Sequence, residues 1–255
     1  MSLRTVRATR YVTPLREGGS LPAIVEADDD GLYVLKFRGA GQGPKALIAE
    51  LVAGEIGRAL GLPIPEIVFV DLDPDLARTE PDPEIQELIR ASAGLNLALD
   101  YLPGSITFDS LVTKPEPELA SSIVWFDALV SNVDRTPRNP NILTWHKKLW
   151  LIDHGAALYF HHASSDFLGR SKRPFSQINE HVLLPFATCI SEVDRPLSAL
   201  LTPEVIQRIV NLIPDIWIGN ESDRGVRDIR AAYADYLVSR LESPREFYTE
   251  AQNVR

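Results

Sequence analysis

Apolar and polar residues alternate over roughly the first forty positions, and the alternation is broken by short polar clusters. RATRYVTPL, LPAIVEA and LYVLKFRG each have the period of a strand, separated by REGGS and DDDG. Asp30-Gly31 between two β-rich runs is a strong hairpin signal, because both residue types tolerate the left-handed backbone of a tight turn. The pattern therefore predicts three antiparallel strands. From Pro44 to Leu60 the period changes. Leu47, Ile48, Leu51, Val52, Ile56, Ala59 and Leu60 recur three and four apart, which predicts one amphipathic helix, ended by Gly61 and Pro63.

PEIVFVDLD reads as a further strand, and the acidic, proline-bearing DPDLARTEPDPEIQELIRA as an exposed, peripheral loop with a short helix. A second apolar run, LNLALDYLPG, ends in Pro-Gly. Beyond Thr107 the chain reads mainly as helix, with one strand pair in NILTWHKKLWLID. Thr202 and Pro203 supply an N-cap and a first-turn proline, and RDIRAAYADYLVSRL carries an apolar stripe. Sheet early and helices late predict an α+β protein. Its β-rich N-lobe would span 1–102 and its helical C-lobe 103–255, joined near Asp100 to Gly104.

Composition narrows the picture. Over 255 residues, 45% hydrophobic and 24% charged describes a chain able to bury one large core or two modest ones around a cleft. No window approaches the roughly 18 apolar residues of a membrane span, and the N-terminus lacks a secretory apolar stretch, so a soluble cytoplasmic protein is expected, with no membrane partner. The formal charge of −9, with 26 scattered Lys and Arg, argues against a nucleic-acid partner. Cys189 is the single cysteine; set in VLLPFATCI, it reads as core rather than nucleophile. Trp145, Trp150, Tyr159 and Phe160 also read as core. His161 and His162, if in a strand, would face opposite ways and not share a metal.

The chemistry concentrates in SNVDRTPRNPNILTWHKKLWLIDHG. Asp134 ends a helix-like run, Asn139 and Asn141 follow in a polar loop, and a strand pair returns the chain to Asp153-His154-Gly155. Phosphoryl transfer needs such a set: a carboxylate to orient and deprotonate the acceptor hydroxyl, and oxygen ligands for Mg²⁺ on the phosphates. Asp and Asn are also ordinary turn-formers. The rest of the chain tips the balance, since Lys36 closes the strand YVLKF and Glu50 lies mid-helix, where it can orient the lysine toward the phosphates of ATP.

With these pieces in order, the chain resembles the HipA-like kinases and, more distantly, phosphatidylinositol kinases and eukaryotic protein kinases. YVLKF, ALIAELVAGEIGRALGLP, LNLALDYLPGS, SNVDRTPRNPNIL, LWLIDHG and INEHVLLPFA carry the resemblance over roughly residues 16 to 190. It implies a two-lobed protein-kinase-like fold, with a small antiparallel-sheet N-lobe holding one main helix. It also implies that Lys36 is the phosphate-binding lysine, Glu50 its helix partner, Asp134 the catalytic base and Asp153 the metal-binding aspartate. The family's spacing points to Asn139 as the second metal ligand, whereas the apolar residues that follow it point to Asn141, with a loop two residues longer. His154 stands where the family pattern has phenylalanine.

On this reading ATP is the cofactor with Mg²⁺. Its adenine lies against Leu99, Asp100, Tyr101 and Leu102, and Gly18, Gly19 and Ser20 offer N–H groups to phosphate from a shortened glycine loop, unless they form a plain turn. GAGQGPK, residues 39–45, matches neither nucleotide-loop pattern and is read as a connection. The acceptor is an unknown protein or small molecule; the resemblance implies serine or threonine. A small-molecule or lipid kinase, and a nucleotide-binding module without transfer, are the alternatives.

Overall fold

The computed structural model describes residues 2–15, 21–41, 43–162, 167–219 and 225–254. Five strands form a closed barrel, β1 (Thr5–Pro14), β2 (Ala23–Ala27), β3 (Leu32–Lys36), β4 (Ile67–Leu72) and β5 (Gly94–Asp100), in the order β1-β2-β3-β5-β4. The three expected strands pair antiparallel, and the β2–β3 turn sets Asp30 at φ 62° while Asp29 Oδ1 accepts from the Gly31 N–H. The sheet departs from an all-antiparallel one at its seam. There β1 runs parallel to β4, with Val6 opposite Val70, and this pairing removes the free edges.

Between β3 and β4 lies α1 (Gly43–Ala59). The sequence predicts one apolar face, but every residue from Leu47 to Gly57 is buried, because α1 is packed on β4 and β5 on one side and on later helices on another. Gly54 and Gly57 permit that closeness: a Cβ at either would collide with Ile67 or Ile64. The acidic stretch after β4 forms a short 3₁₀ turn and α2 (Pro83–Ala91). Asp82 caps α2, and its Ile85 and Ile89 pack into the barrel core, so the segment is less peripheral than its composition suggests.

After β5 comes a two-residue strand, β6 (Ile106–Thr107), then α3 (Pro117–Val130) and the hairpin of β7 (Ile142–Trp145) with β8 (Lys148–Leu151). β6 adds a third strand to that hairpin. The remaining helices are α4 (Phe167–Ser171), α5 (Ile190–Leu200), α6 (Pro203–Val210), α7 (Asp215–Ile218), α8 (Val226–Leu241) and α9 (Glu246–Asn253). One large core joins α1 to α3 and the C-terminal helices, and a second fills the barrel. Among the described residues no helix is long and apolar enough to cross a membrane.

Two expectations need correction. Of the four aromatic residues read as core, Phe160 is buried and stacks on Tyr236, whereas Tyr159 is 58% exposed and Trp145 and Trp150 are half-buried, edge to face, on the β7–β8 hairpin. Cys189 is likewise half-buried, at the start of α5.

Candidate active site

The site begins with the end of α3. Ser131 takes the left-handed conformation that stops the helix, and the buried Arg240 of α8 donates to the Ala128 and Leu129 carbonyls, satisfying its last turn. The chain then enters the loop 132–141. Asp127, wholly buried on α3, holds that loop. Its carboxylate accepts from Arg135 Nε at 2.5 Å, Asn132 Nδ2 at 2.8 Å and His181 Nε2 at 2.9 Å. His181 Nδ1 accepts from the Leu183 N–H, so the hydrogen sits on Nε2 and points at Asp127. Burial pushes the Asp127 carboxyl up, but Arg135 and His181 outweigh it and hold it far below the usual carboxylate range. Burial lowers His181, consistent with a neutral ring.

Held in this way, Asp134 is half-buried. Its Oδ2 accepts from Asn139 Nδ2 at 2.8 Å and from Asn141 Nδ2 at 3.3 Å. Asn141 has φ 49°, and its carbonyl accepts from both Arg135 and the Ile152 N–H, which extends the β7–β8 ladder by one rung. The hairpin turn is His146-Lys147, both at positive φ, the two-residue type that matches strand twist. This return places Asn141 across the ladder from the residues that precede Asp153.

Asp153 meets residues from the N-terminal half. Lys36 Nζ at the end of β3 lies 2.8 Å from Asp153 Oδ1 and 3.6 Å from Glu50 Oε2 of α1. His154 donates its backbone N–H to Glu50 Oε2 at 2.9 Å. Burial lowers the Lys36 ammonium, but Glu50 and Asp153 outweigh it and the net effect raises it. Glu50 is pushed up by burial, yet Lys36 and His154 hold it at about 2. A cavity of about 30 Å³ adjoins the cluster, lined among others by Ala40, Gly43, Ala46 and Gly155, so Ala40 and Gly43 of the connection after β3 share it with Lys36. Leu99 and Leu102 are buried at the end of β5, with Asp100 exposed and Tyr101 half-buried between them. Gly18, Gly19 and Ser20 lie outside the described residues.

The donor set suits a hard cation. Asp153 offers a carboxylate and Asn141 a carboxamide oxygen, the ligand types Mg²⁺ takes together with substrate phosphates. Asp153 keeps 40% of its side chain accessible against 1% for Glu50, so of the two acids on Lys36 it is the more open to an ion. Among the described residues no group of three or more His, Cys, Asp or Glu could hold a metal. An ion here would take its remaining ligands from phosphate and water.

His161 and His162 depart from expectation. They lie in a 3₁₀ turn, Tyr159–His162, and their Nε2 atoms approach to 3.2 Å, because successive residues of a three-residue turn are not opposed as they are in a strand. Lys45 Nζ donates to the His161 carbonyl, joining this turn to the start of α1. A cavity of about 630 Å³ opens beside the Asp134 loop, with Thr136 and Arg138 on one wall and Asn179 and His181 on the other.

Asp127, Arg135 and His181 were not in the sequence's candidate set. A signal for Asp127 exists: it is the single acid in the apolar run IVWFDALV, and a charge in such a run needs a buried partner.

Glu50 carries a pH prediction. Unfolded, it titrates near the ordinary 4.5; folded, at about 2. On acidification the unfolded chain takes the proton first, so Glu50's contribution is complete above the first value and gone below the second. Urea unfolding across this window should show the parent losing on the order of a few kcal/mol more than Glu50→Gln. Equal losses would mean that Glu50 is not held as described.

A family model described as HipA-like kinase matches residues 9–249. Among solved structures the chain is similar to the Helicobacter pylori proinflammatory kinase CtkA, with TM-score 0.56 and 14% identity, covering 98% of this chain and 99% of that one. It is also similar to the Golgi casein kinase, with TM-score 0.51 and 12% identity, covering 99% of this chain and 74% of that one. These likenesses are of fold. No curated protein matches the chain.

Proposed function

The chain belongs to the HipA-like kinase family, and on that premise we propose that it transfers the γ-phosphate of ATP to a serine or threonine hydroxyl of an acceptor protein. The observation that carries the reading is the meeting of Lys36 with Glu50 at 3.6 Å and with Asp153 at 2.8 Å, the second across a sequence separation of more than a hundred residues. Such a cluster has a role in phosphoryl transfer, where the protein supplies position and charge rather than covalent chemistry.

In this mechanism residues 1–102 form the phosphate-binding lobe and 103–255 the helical lobe. Glu50 orients Lys36 toward the α- and β-phosphates, and the adenine lies against Leu99 to Leu102. Asp153 and Asn141 would hold Mg²⁺, whose charge would offset that of the phosphate oxygens. Asn141 is preferred over Asn139 because its backbone pairs with Ile152, next to Asp153, whereas Asn139 makes the shorter bond to Asp134, at 2.8 Å against 3.3 Å. Asp134 accepts the proton of the incoming hydroxyl. The 630 Å³ cavity beside its loop supports an acceptor approaching there.

The test is incubation with labelled ATP and Mg²⁺, alone and with a cell extract, followed by mass spectrometry of the products. Label on serine or threonine is the expected result. Excess EDTA should abolish incorporation and added Mg²⁺ restore it. Label confined to small molecules or lipid would move the acceptor class, and tight Mg·ATP binding without any product would overturn transfer itself.

A further inference from the structure

Three contacts converge on one carboxylate. The His154 backbone N–H donates to Glu50 Oε2 at 2.9 Å, His154 Nδ1 lies 3.3 Å from Oε1, and Lys36 Nζ faces Oε2 at 3.6 Å. A carboxylate only accepts, so Nδ1 carries the hydrogen of its bond. Nε2 is then a bare acceptor, and it is buried without a partner in a residue with no exposed surface. The ring also packs edge to face on Phe126, 5.8 Å between centroids. An unsatisfied acceptor in such surroundings lowers stability, and an apolar ring of similar size would fit without that cost. What the histidine adds over an apolar ring is its bond to Glu50.

The path of the chain shows what that bond does. Asp153 sits at φ 53°, a left-handed turn that lets two consecutive residues reach opposite members of one ion pair. Asp153 Oδ1 takes Lys36 at 2.8 Å, and His154 takes Glu50. The contacts close a circuit through Lys36, Asp153, His154 and Glu50. With its backbone N–H on one oxygen and its ring on the other, His154 fixes both ends of the carboxylate, and the rotation of Glu50 about its last bond is arrested.

We propose that His154 is a positioning residue, whose Nδ1–H sets the Glu50 carboxylate and through it the Lys36 ammonium at the expected phosphate site. Its consequence for rate rests on the phosphotransfer reading above; the bond itself rests on geometry alone. Two arms separate the failures. In the first, kcat/KM for ATP should fall tenfold or more in His154→Phe, with a melting temperature equal to the parent's or higher. His154→Asn, which can present an amide N–H where Nδ1–H stood, should remain within threefold of the parent. A phenylalanine variant as active as the parent, or an asparagine variant as impaired as the phenylalanine one, overturns the proposal.

The second arm needs no turnover. With ¹⁵N-labelled imidazoles, the resonance that disappears in His154→Asn should have the pattern of an Nδ1–H tautomer and should move in Glu50→Gln. An Nε2–H pattern, or a resonance unmoved in Glu50→Gln, overturns the bond. If the parent transfers no phosphate, the phosphotransfer reading fails, and the ring spectrum still decides whether His154 holds Glu50.

Discussion

Asp134→Asn is expected to lower phosphate incorporation by roughly 10²–10⁴-fold, the range that a positioned general base contributes, while leaving the affinity for Mg·ATP within about twofold of the parent. The separation follows from how the two halves of the site are held. Asp134 is fixed within its own loop, by Asn139 and Asn141 on Oδ2 and by its backbone N–H on Asn132 Oδ1. Lys36 is fixed by Glu50 and Asp153. Asparagine keeps the size of the side chain and an oxygen to accept from the loop, but it cannot take up the acceptor's proton. Calorimetric titration with Mg·ATP beside a labelled transfer assay gives both numbers. Incorporation equal to that of the parent would remove Asp134 from the reaction.

Asp127→Ala should be the most damaging single change to the fold. The carboxylate is wholly buried and satisfies three donors on two segments: Asn132 and Arg135 in the loop 132–141, and His181 beyond it. Its loss leaves the Arg135 guanidinium buried with no counter-charge, a situation that costs about 3–5 kcal/mol. For a domain of this size that corresponds to a fall in melting temperature of about 10 °C. Arg135 also donates to the Asn141 carbonyl, and its own carbonyl accepts from the Val182 N–H, so the loop 132–141 and the segment after His181 would both loosen. Transfer should fall with stability. Asp127→Asn, which retains an acceptor but no charge, should lie between. Thermal unfolding of the three proteins followed by circular dichroism decides it, and an alanine variant melting within a degree or two of the parent would show that the network is not what holds the loop.

Much of this arrangement was legible in the chain. Alternation located β1, β2 and β3, and the change of period at Pro44 located α1 to within a residue at either end. Local rules of this kind work where one face of an element is buried and the other wet. They fail where that condition fails. α1 was read as amphipathic because its strongest apolar positions recur at helical spacing, yet it is buried on every side between Leu47 and Gly57, and the glycines that allow it cannot be interpreted without knowing what lies across from them. Tyr159 and the two tryptophans were misread for the opposite reason, since aromatic residues favour burial but the hairpin that carries Trp145 and Trp150 is not fully covered. The opposition expected of His161 and His162 holds only in a strand, and the chain makes a 3₁₀ turn there instead.

The sequence alone determined which groups are available: a strand lysine, a helix glutamate, two aspartates and two asparagines in an order that resembles one kinase family. Residue type and spacing are local properties, and an order of motifs survives without coordinates. Only the tertiary structure decided which of these groups touch. Packing brought Lys36 to Asp153, gave both oxygens of Glu50 to His154, and buried Asp127 beneath the loop that carries Asp134. Each of those contacts joins segments whose approach depends on the shape of cores built from the whole chain. Burial, which pushes the Glu50 and Asp127 carboxyls up and the Lys36 ammonium down before their partners outweigh it, is likewise a property no residue has until its neighbours have folded around it.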